Sequence, residues 1–172
     1  EMTARILLTG VISDTLILRS PTTTAIDKAT AGALAAISGE FDIQSFGEKL
    51  FSVTDGMATR VPENAIRSDF KVYSEHGVNI GIGQCEVTTL KDFHTYGDEY
   101  LKALEKVREK DNLDWAILMI TDVLREHSLL LSTDFKAYNK LPWTKINDKV
   151  LDMPGVLSRK KQLLPEVIHT LD

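Results

Sequence analysis

The chain has 172 residues, 43% hydrophobic and 26% charged, with a formal net charge of −5. That is globular composition with length enough to bury a core. It argues against a general nucleic-acid binder, which would carry a basic face, and it holds no run of membrane-spanning length. The single cysteine, Cys85, leaves no disulfide framework and suits a reducing compartment. The N-terminus lacks a basic, then apolar, then small leader pattern, so a cytoplasmic location is expected. The first residue is Glu and the apolar pattern starts within four residues, so a piece of something longer is expected.

In chain order, residues 3–18 carry apolar side chains at 4, 7, 8, 11, 12, 16 and 18, the spacing of a buried helix. Pro21 breaks it. Thr24 and Asp27 form a capping-box pattern ahead of a second helix that ends at Gly39. A third helix is expected over 43–53 with Asp42 as its cap. Residues 55–66, with Gly, Pro, Asn and mixed charge, read as a linker.

From about residue 67 the pattern becomes α/β. "DFKVY" (69–73) alternates, with Lys71 opposite Phe70 and Val72. "SEHG" suits a hairpin turn into a second strand over 78–87, with Val78, Ile80 and Ile82 on one face. The long pattern over 92–111 reads as a helix, 113–120 as a central strand, 128–133 as a further strand and 149–153 as a short one. A turn at Pro154–Gly155 is expected to lead into extended chain through 158–164, then a final helix with Pro165 at its first position.

Two features carry chemistry. Asp14 sits among Gly10, Val11, Ile17 and Leu18 at helical spacing, where a carboxylate must be paired or hold a metal. One aspartate does not make a metal site. Arg159, Lys160 and Lys161 stand side by side in an acidic chain. An arginine fork beside a lysine charge suits phosphate oxygens; a solvated charged turn is the other reading. Arg159 and Lys160 converge only if the chain bends there.

"GVISDTLILRSPTTT" (10–24) with Asp27, "DFKVY", "IGIGQCEV" (80–87), "ILMITDVL" (117–124) and "SRKKQLLP" (158–165) occur in this order. Together they resemble the C-terminal part of family II, manganese-dependent inorganic pyrophosphatases of the DHH phosphoesterase superfamily. The resemblance implies an α/β chain. Residues 1–54 would be the helical end-piece of the catalytic DHH domain, and 67–172 a DHHA2 substrate-binding domain with a mixed sheet flanked by helices. It implies that Asp14 is a metal ligand, with Mn2+ (Co2+ or Mg2+ as alternatives) held mainly by residues absent from this chain. It implies that Lys71, Arg159 and Lys160 bind pyrophosphate and act in its hydrolysis by a metal-activated hydroxide. The family's remaining ligands, a His-x-Asp-x-Asp-like motif, a further Asp and an Asp-His-His motif, do not occur here. His76, His94, His127 and His169 read as surface or satisfied histidines. The chain alone is therefore expected to be inactive, its partners being pyrophosphate and the missing DHH portion, through which family members often dimerise. An exopolyphosphatase relative and a noncatalytic phosphate-binding module are the rival readings. No nucleic-acid or membrane partner is expected.

Overall fold

The strand Trp115–Asp122 has every residue buried, and the second part of the chain is built around it. The structure, a computed structural model, describes residues 1–52 and 56–172. It divides into two units, Glu1–Thr54 and Asp55–Asp172. Their join at 53–55, where the third helix was expected to end and the linker to begin, lies outside the described residues.

The first unit is helical: α1 (Met2–Asp14), α2 (Ala25–Ser38) and α3 (Ile43–Ser52). The capping box is present. Thr24 Oγ1 accepts from Asp27 N at 3.3 Å, and the Asp27 carboxylate accepts from Thr24 N at 2.7 Å. The bonds that the Asp27 carboxylate accepts from Thr24 N and from the Thr24 hydroxyl hold it below its ordinary range. Gly39, at φ 76°, closes α2 as a left-handed cap. Asp42 accepts from Ser45 N at 2.9 Å at the start of α3. Helix α1 turns Ala4, Leu8 and Ile12 inward.

The second unit opens with a 3-10 turn (Met57–Thr59) and α4 (Pro62–Ser68). The stretch expected as a linker is thus structured. Met57, Ala65 and Ile66 are buried in a cluster with Tyr100 and Leu104. Pro62, which reads as a breaker in sequence, occupies the first turn of α4, where its missing N–H costs nothing. Arg67 pairs with Asp111 at 3.0 Å and Lys110 with Glu63 at 2.8 Å. The hydrogen bonds from these cations hold the Asp111 and Glu63 carboxyls below their ordinary range.

Then follow β1 (Phe70–Glu75), β2 (Val78–Val87), α5 (Phe93–Lys110), β3 (Trp115–Asp122), β4 (His127–Ser132), a 3-10 turn (Lys136–Lys140), β5 (Thr144–Asn147), β6 (Val150–Pro154), a π turn (Arg159–Leu163) and α6 (Leu164–His169). The sheet order is β1-β2-β3-β4-β6-β5. Only β2 and β3 run parallel, joined through α5; the other neighbours are antiparallel. His76 and Gly77, at φ 51° and 76°, make the two-residue hairpin loop between β1 and β2. Strand β5 escaped the sequence reading because all four of its residues are exposed, so no alternation marks it.

The sheet is covered on both faces. Ile80, Ile82, Trp115, Ile117 and Met119 face one cluster, which includes Val156, Leu163 and Val167. Cys85, Val87, Leu118 and Ile120 face the other, under α4 and α5. Burial pushes the Cys85 thiol up, consistent with an inert strand cysteine. Gly81 and Gly83 leave room for the Phe70 ring on β2: a Cβ at Gly81 would lie 2.2 Å from it.

Gly81→Val should therefore destabilise the chain by about 1–3 kcal/mol through overpacking. Gly10→Ala, inside α1 with open space around the added Cβ, should stabilise it by about 1 kcal/mol. Urea midpoints test the pair; no loss at Gly81→Val would mean that Phe70 packs elsewhere.

Candidate functional site

The cationic stretch does not run extended, as the sequence reading had it. Ser158 caps it, accepting from Lys161 N at 3.2 Å. Leu163 N reaches Ser158 O at 3.2 Å, and Leu164 N reaches Arg159 O, so the bonds span five residues rather than four. The physical reason lies in Pro165. An α-helix running through it would clash with the proline ring; the wider π turn lets Pro165 enter in the first turn of α6. The bend that Arg159 needs is thus built into the backbone.

Two glutamines fix the approach to that bend. Gln162 Oε1 accepts from Leu157 N and Ser158 N, each at 2.9 Å, and its Nε2 donates to Gly155 O at 2.9 Å. From β2, Gln84 Nε2 donates to Leu157 O at 3.1 Å, and Gln84 Oε1 accepts from Arg159 N at 3.4 Å. Gly155, at φ 74°, makes the turn that brings the segment back over the sheet.

Arg159 points inward, its side chain only 8% exposed. Nη2 donates to Asp69 Oδ1 at 2.7 Å, and Nη1 to Asp69 O at 2.6 Å and Ile82 O at 3.3 Å. Nε is buried with no hydrogen-bond partner among the described residues. Ile82 is the register partner of Lys71 across the β1–β2 ladder. Lys71 shares the sheet face of Tyr73, two residues on, which packs against the cluster holding Val156 and Leu163. The structure thus brings Lys71 and the π turn to one face of the sheet, at the end where Arg159 is anchored. Lys71 and Lys160 are both exposed. Asp69, Gln84 and Gln162 went unassigned in the sequence reading. Their signal was weak: an acid two before Lys71, and amides inside "GIGQ" and "SRKKQ".

Asp14 lies in the other unit. The expected helix to residue 18 ends at Asp14, and Asp14 is exposed rather than set on an apolar face. Leu16, Ile17 and Leu18 have φ of 49°, 57° and 62°, a left-handed turn of three non-glycine residues. Such backbone costs roughly 1–2 kcal/mol per residue. Burial of Leu16 and Ile17 offsets it, which is why the apolar spacing continued past the helix end. Thr15 pins the turn: its Oγ1 donates to Val11 O at 2.6 Å and accepts from Leu18 N at 3.1 Å, and its carbonyl accepts from Ser20 N at 2.8 Å. Strained backbone of this kind clusters at functional positions. Among the described residues no group of three or more His, Cys, Asp or Glu side chains could hold a metal, so Asp14 alone does not fit a manganese site.

The histidines are elsewhere engaged or exposed. His127 pairs with Asp152, His76 lies 3.2 Å from Asp172, His94 Nδ1 meets Lys91 O at 2.6 Å, and His169 is exposed. Among the described residues no helix is long and apolar enough to cross a membrane.

The DHHA2 domain family matches residues 48–169. A manganese-dependent inorganic pyrophosphatase of Methanocaldococcus jannaschii is 34% identical over 163 residues, covering 94% of this chain and 53% of that protein. One from Methanothrix thermoacetophila is 35% identical, with the same two coverages of 94% and 53%. A crystal structure assigned to a family II inorganic pyrophosphatase of Methanococcus jannaschii superposes with a TM-score of 0.84 at 32% identity, covering 98% of this chain and 55% of that one. The chain spans about half the length of the curated relatives it matches. With its mixed six-stranded sheet and the helices that flank it, the chain belongs to the DHHA2 domain family and is similar over nearly its whole length to the C-terminal part of family II, manganese-dependent inorganic pyrophosphatases.

Proposed function

We propose that this chain is the C-terminal part of a manganese-dependent inorganic pyrophosphatase and supplies its anion clamp. Arg159, Lys160 and Lys71 bind pyrophosphate. Residues 1–54 are the end of the catalytic DHH domain, and Asp14 lends one carboxylate to a metal site whose other ligands come from outside this chain. The observation that carries the reading is Arg159. A guanidinium held inside the protein, anchored to Asp69 just before the strand of Lys71 and left with a buried Nε that has no partner among the described residues, is arranged for an anion rather than for solvent.

The chemistry divides by residue type. The arginine fork sets the orientation of a phosphoryl group through paired hydrogen bonds. The two lysines act as mobile point charges on the remaining oxygens. As the bridging bond breaks, charge builds on the leaving phosphate, and cations that meet it there lower the barrier. Manganese, were it held in the complete protein by Asp14 and ligands from outside this chain, would supply a water of lowered pKa. The share of this chain's own residues is to bind, orient and absorb charge. That share predicts binding without turnover in the 172-residue chain.

Calorimetric titration of the chain with pyrophosphate tests the clamp. Lys71→Ala and Lys160→Ala should each weaken binding about three- to tenfold, with a smaller salt dependence, while thermal melting stays within about 0.5 kcal/mol of the unaltered chain, as for other exposed sites. Pyrophosphate affinity that ignores both substitutions would refute the clamp. In the complete enzyme, Lys160→Ala should lower kcat about 100-fold, in the range for loss of one preorganised charge contact. Turnover of long polyphosphate in preference to pyrophosphate would move the assignment to an exopolyphosphatase.

A further inference from the structure

An arginine can serve an anion only with hydrogens it has not already spent. Arg159 has five N–H hydrogens. Asp69 O and Ile82 O take those of Nη1, and Asp69 Oδ1 takes one of Nη2. The second Nη2 hydrogen and the Nε hydrogen remain, and they lie along the same side of the planar group. Nε is buried without a partner among the described residues. Asp69 thus occupies one edge of the guanidinium and leaves the other as an intact two-hydrogen fork.

We propose that Asp69 is the positioning residue of the anion clamp: its carboxylate and its own carbonyl hold Arg159 so that the Nε–Nη2 edge faces the phosphoryl group. The proposal rests on the clamp reading above and extends it to a residue outside the three cations. Asp69 is well placed for the task. It is the cap residue that ends α4 and precedes β1, and its carbonyl also accepts from Gln84 N at 3.0 Å. Two of the three oxygens that bind Arg159, and the two shorter contacts, therefore come from one residue tied to two elements. The Asp69 side chain is 51% exposed and that of Arg159 8%, so the carboxylate meets solvent far more than the guanidinium does.

This arrangement makes Asp69 work in two opposed ways. Its geometry favours anion binding, because a loose arginine would have to be ordered by the ligand. Its negative charge disfavours anion binding, because it sits beside the site and repels phosphate. Substitution separates the two. Asp69→Asn keeps an oxygen acceptor for Nη2 and removes the charge; Asp69→Ala removes both.

Titration of the 172-residue chain with pyrophosphate reads the outcome, alongside the Nε–H resonance of Arg159 followed by NMR. Asp69→Asn should bind about two- to tenfold tighter than the unaltered chain, the gain shrinking with added salt. Asp69→Ala should bind about tenfold weaker or worse. In the unaltered chain and in Asp69→Asn the Nε–H signal should shift on adding pyrophosphate, and in Asp69→Ala the shift should be lost. If both variants bind equally tightly and tighter than the unaltered chain, Asp69 is only a competing anion and the proposal fails. If a folded Asp69→Ala chain binds like the unaltered one and Arg159→Lys abolishes binding, the clamp stands and the role of Asp69 falls. If the unaltered chain binds no pyrophosphate, both readings fall. Should Asp69→Ala not fold, the Nε–H signal of Asp69→Asn decides: no shift on adding pyrophosphate, whatever the affinity, overturns the proposal.

Discussion

The contact between Arg159 and the start of β1 is what the second unit's chemistry depends on. It joins residues 90 apart in sequence through two oxygens of Asp69 and draws in Ile82 from the neighbouring strand. A charged guanidinium taken out of water is costly unless it is paired and hydrogen-bonded. Among the described residues it is paired on one edge, and its Nε has no partner. The anchored edge fixes where the C-terminal turn sits on the sheet, and the unpaired edge gives that position a use. Arg159 would serve stability better if Nε were also satisfied, so the orphaned donor speaks for a role beyond packing.

The sheet makes the contact possible through its glycines. Phe70 lies over Gly81 and Gly83 on one face, which leaves the opposite face of β1 for Lys71 and Tyr73. If β2 carried side chains at those positions, Phe70 would be displaced from its place against the strand. The helix-and-turn cover over Ile80 and Ile82 then brings Leu163 and Val156 down on the same face. Apolar packing and the Arg159–Asp69 hydrogen bonds thus together hold the turn on this face.

Much of this was legible in the sequence. The capping box at Thr24, the loop of His76 and Gly77, the alternation of β2 and the unbroken apolar run of β3 all follow from local rules of spacing and backbone preference. The losses have distinct physical causes. Helix α1 read too long because a left-handed turn after Asp14 buries Leu16 and Ile17 at near-helical spacing. The stretch around α4 read as a linker because its proline and charges hide three buried apolar residues. Extended chain was expected at 158–164 because the proline rule was applied to an α-helix, and a π turn obeys different spacing. Asp69 was visible but unremarkable: a carboxylate's role depends on what folds onto it, and its partner lies 90 residues away.

The order of the two cations at the turn has a physical logic as well. Arg159 is the buried one and Lys160 the exposed one. The reverse arrangement would bury an ammonium, which is more strongly hydrated and has no planar edge to divide between an anchor and a ligand. An arginine can be held by one side and still present the other. A lysine has no such division: it is a compact charge on a flexible stem. With Gln84 and Gln162 holding the backbone on either side, the segment buries the arginine against Asp69 and leaves the lysine exposed.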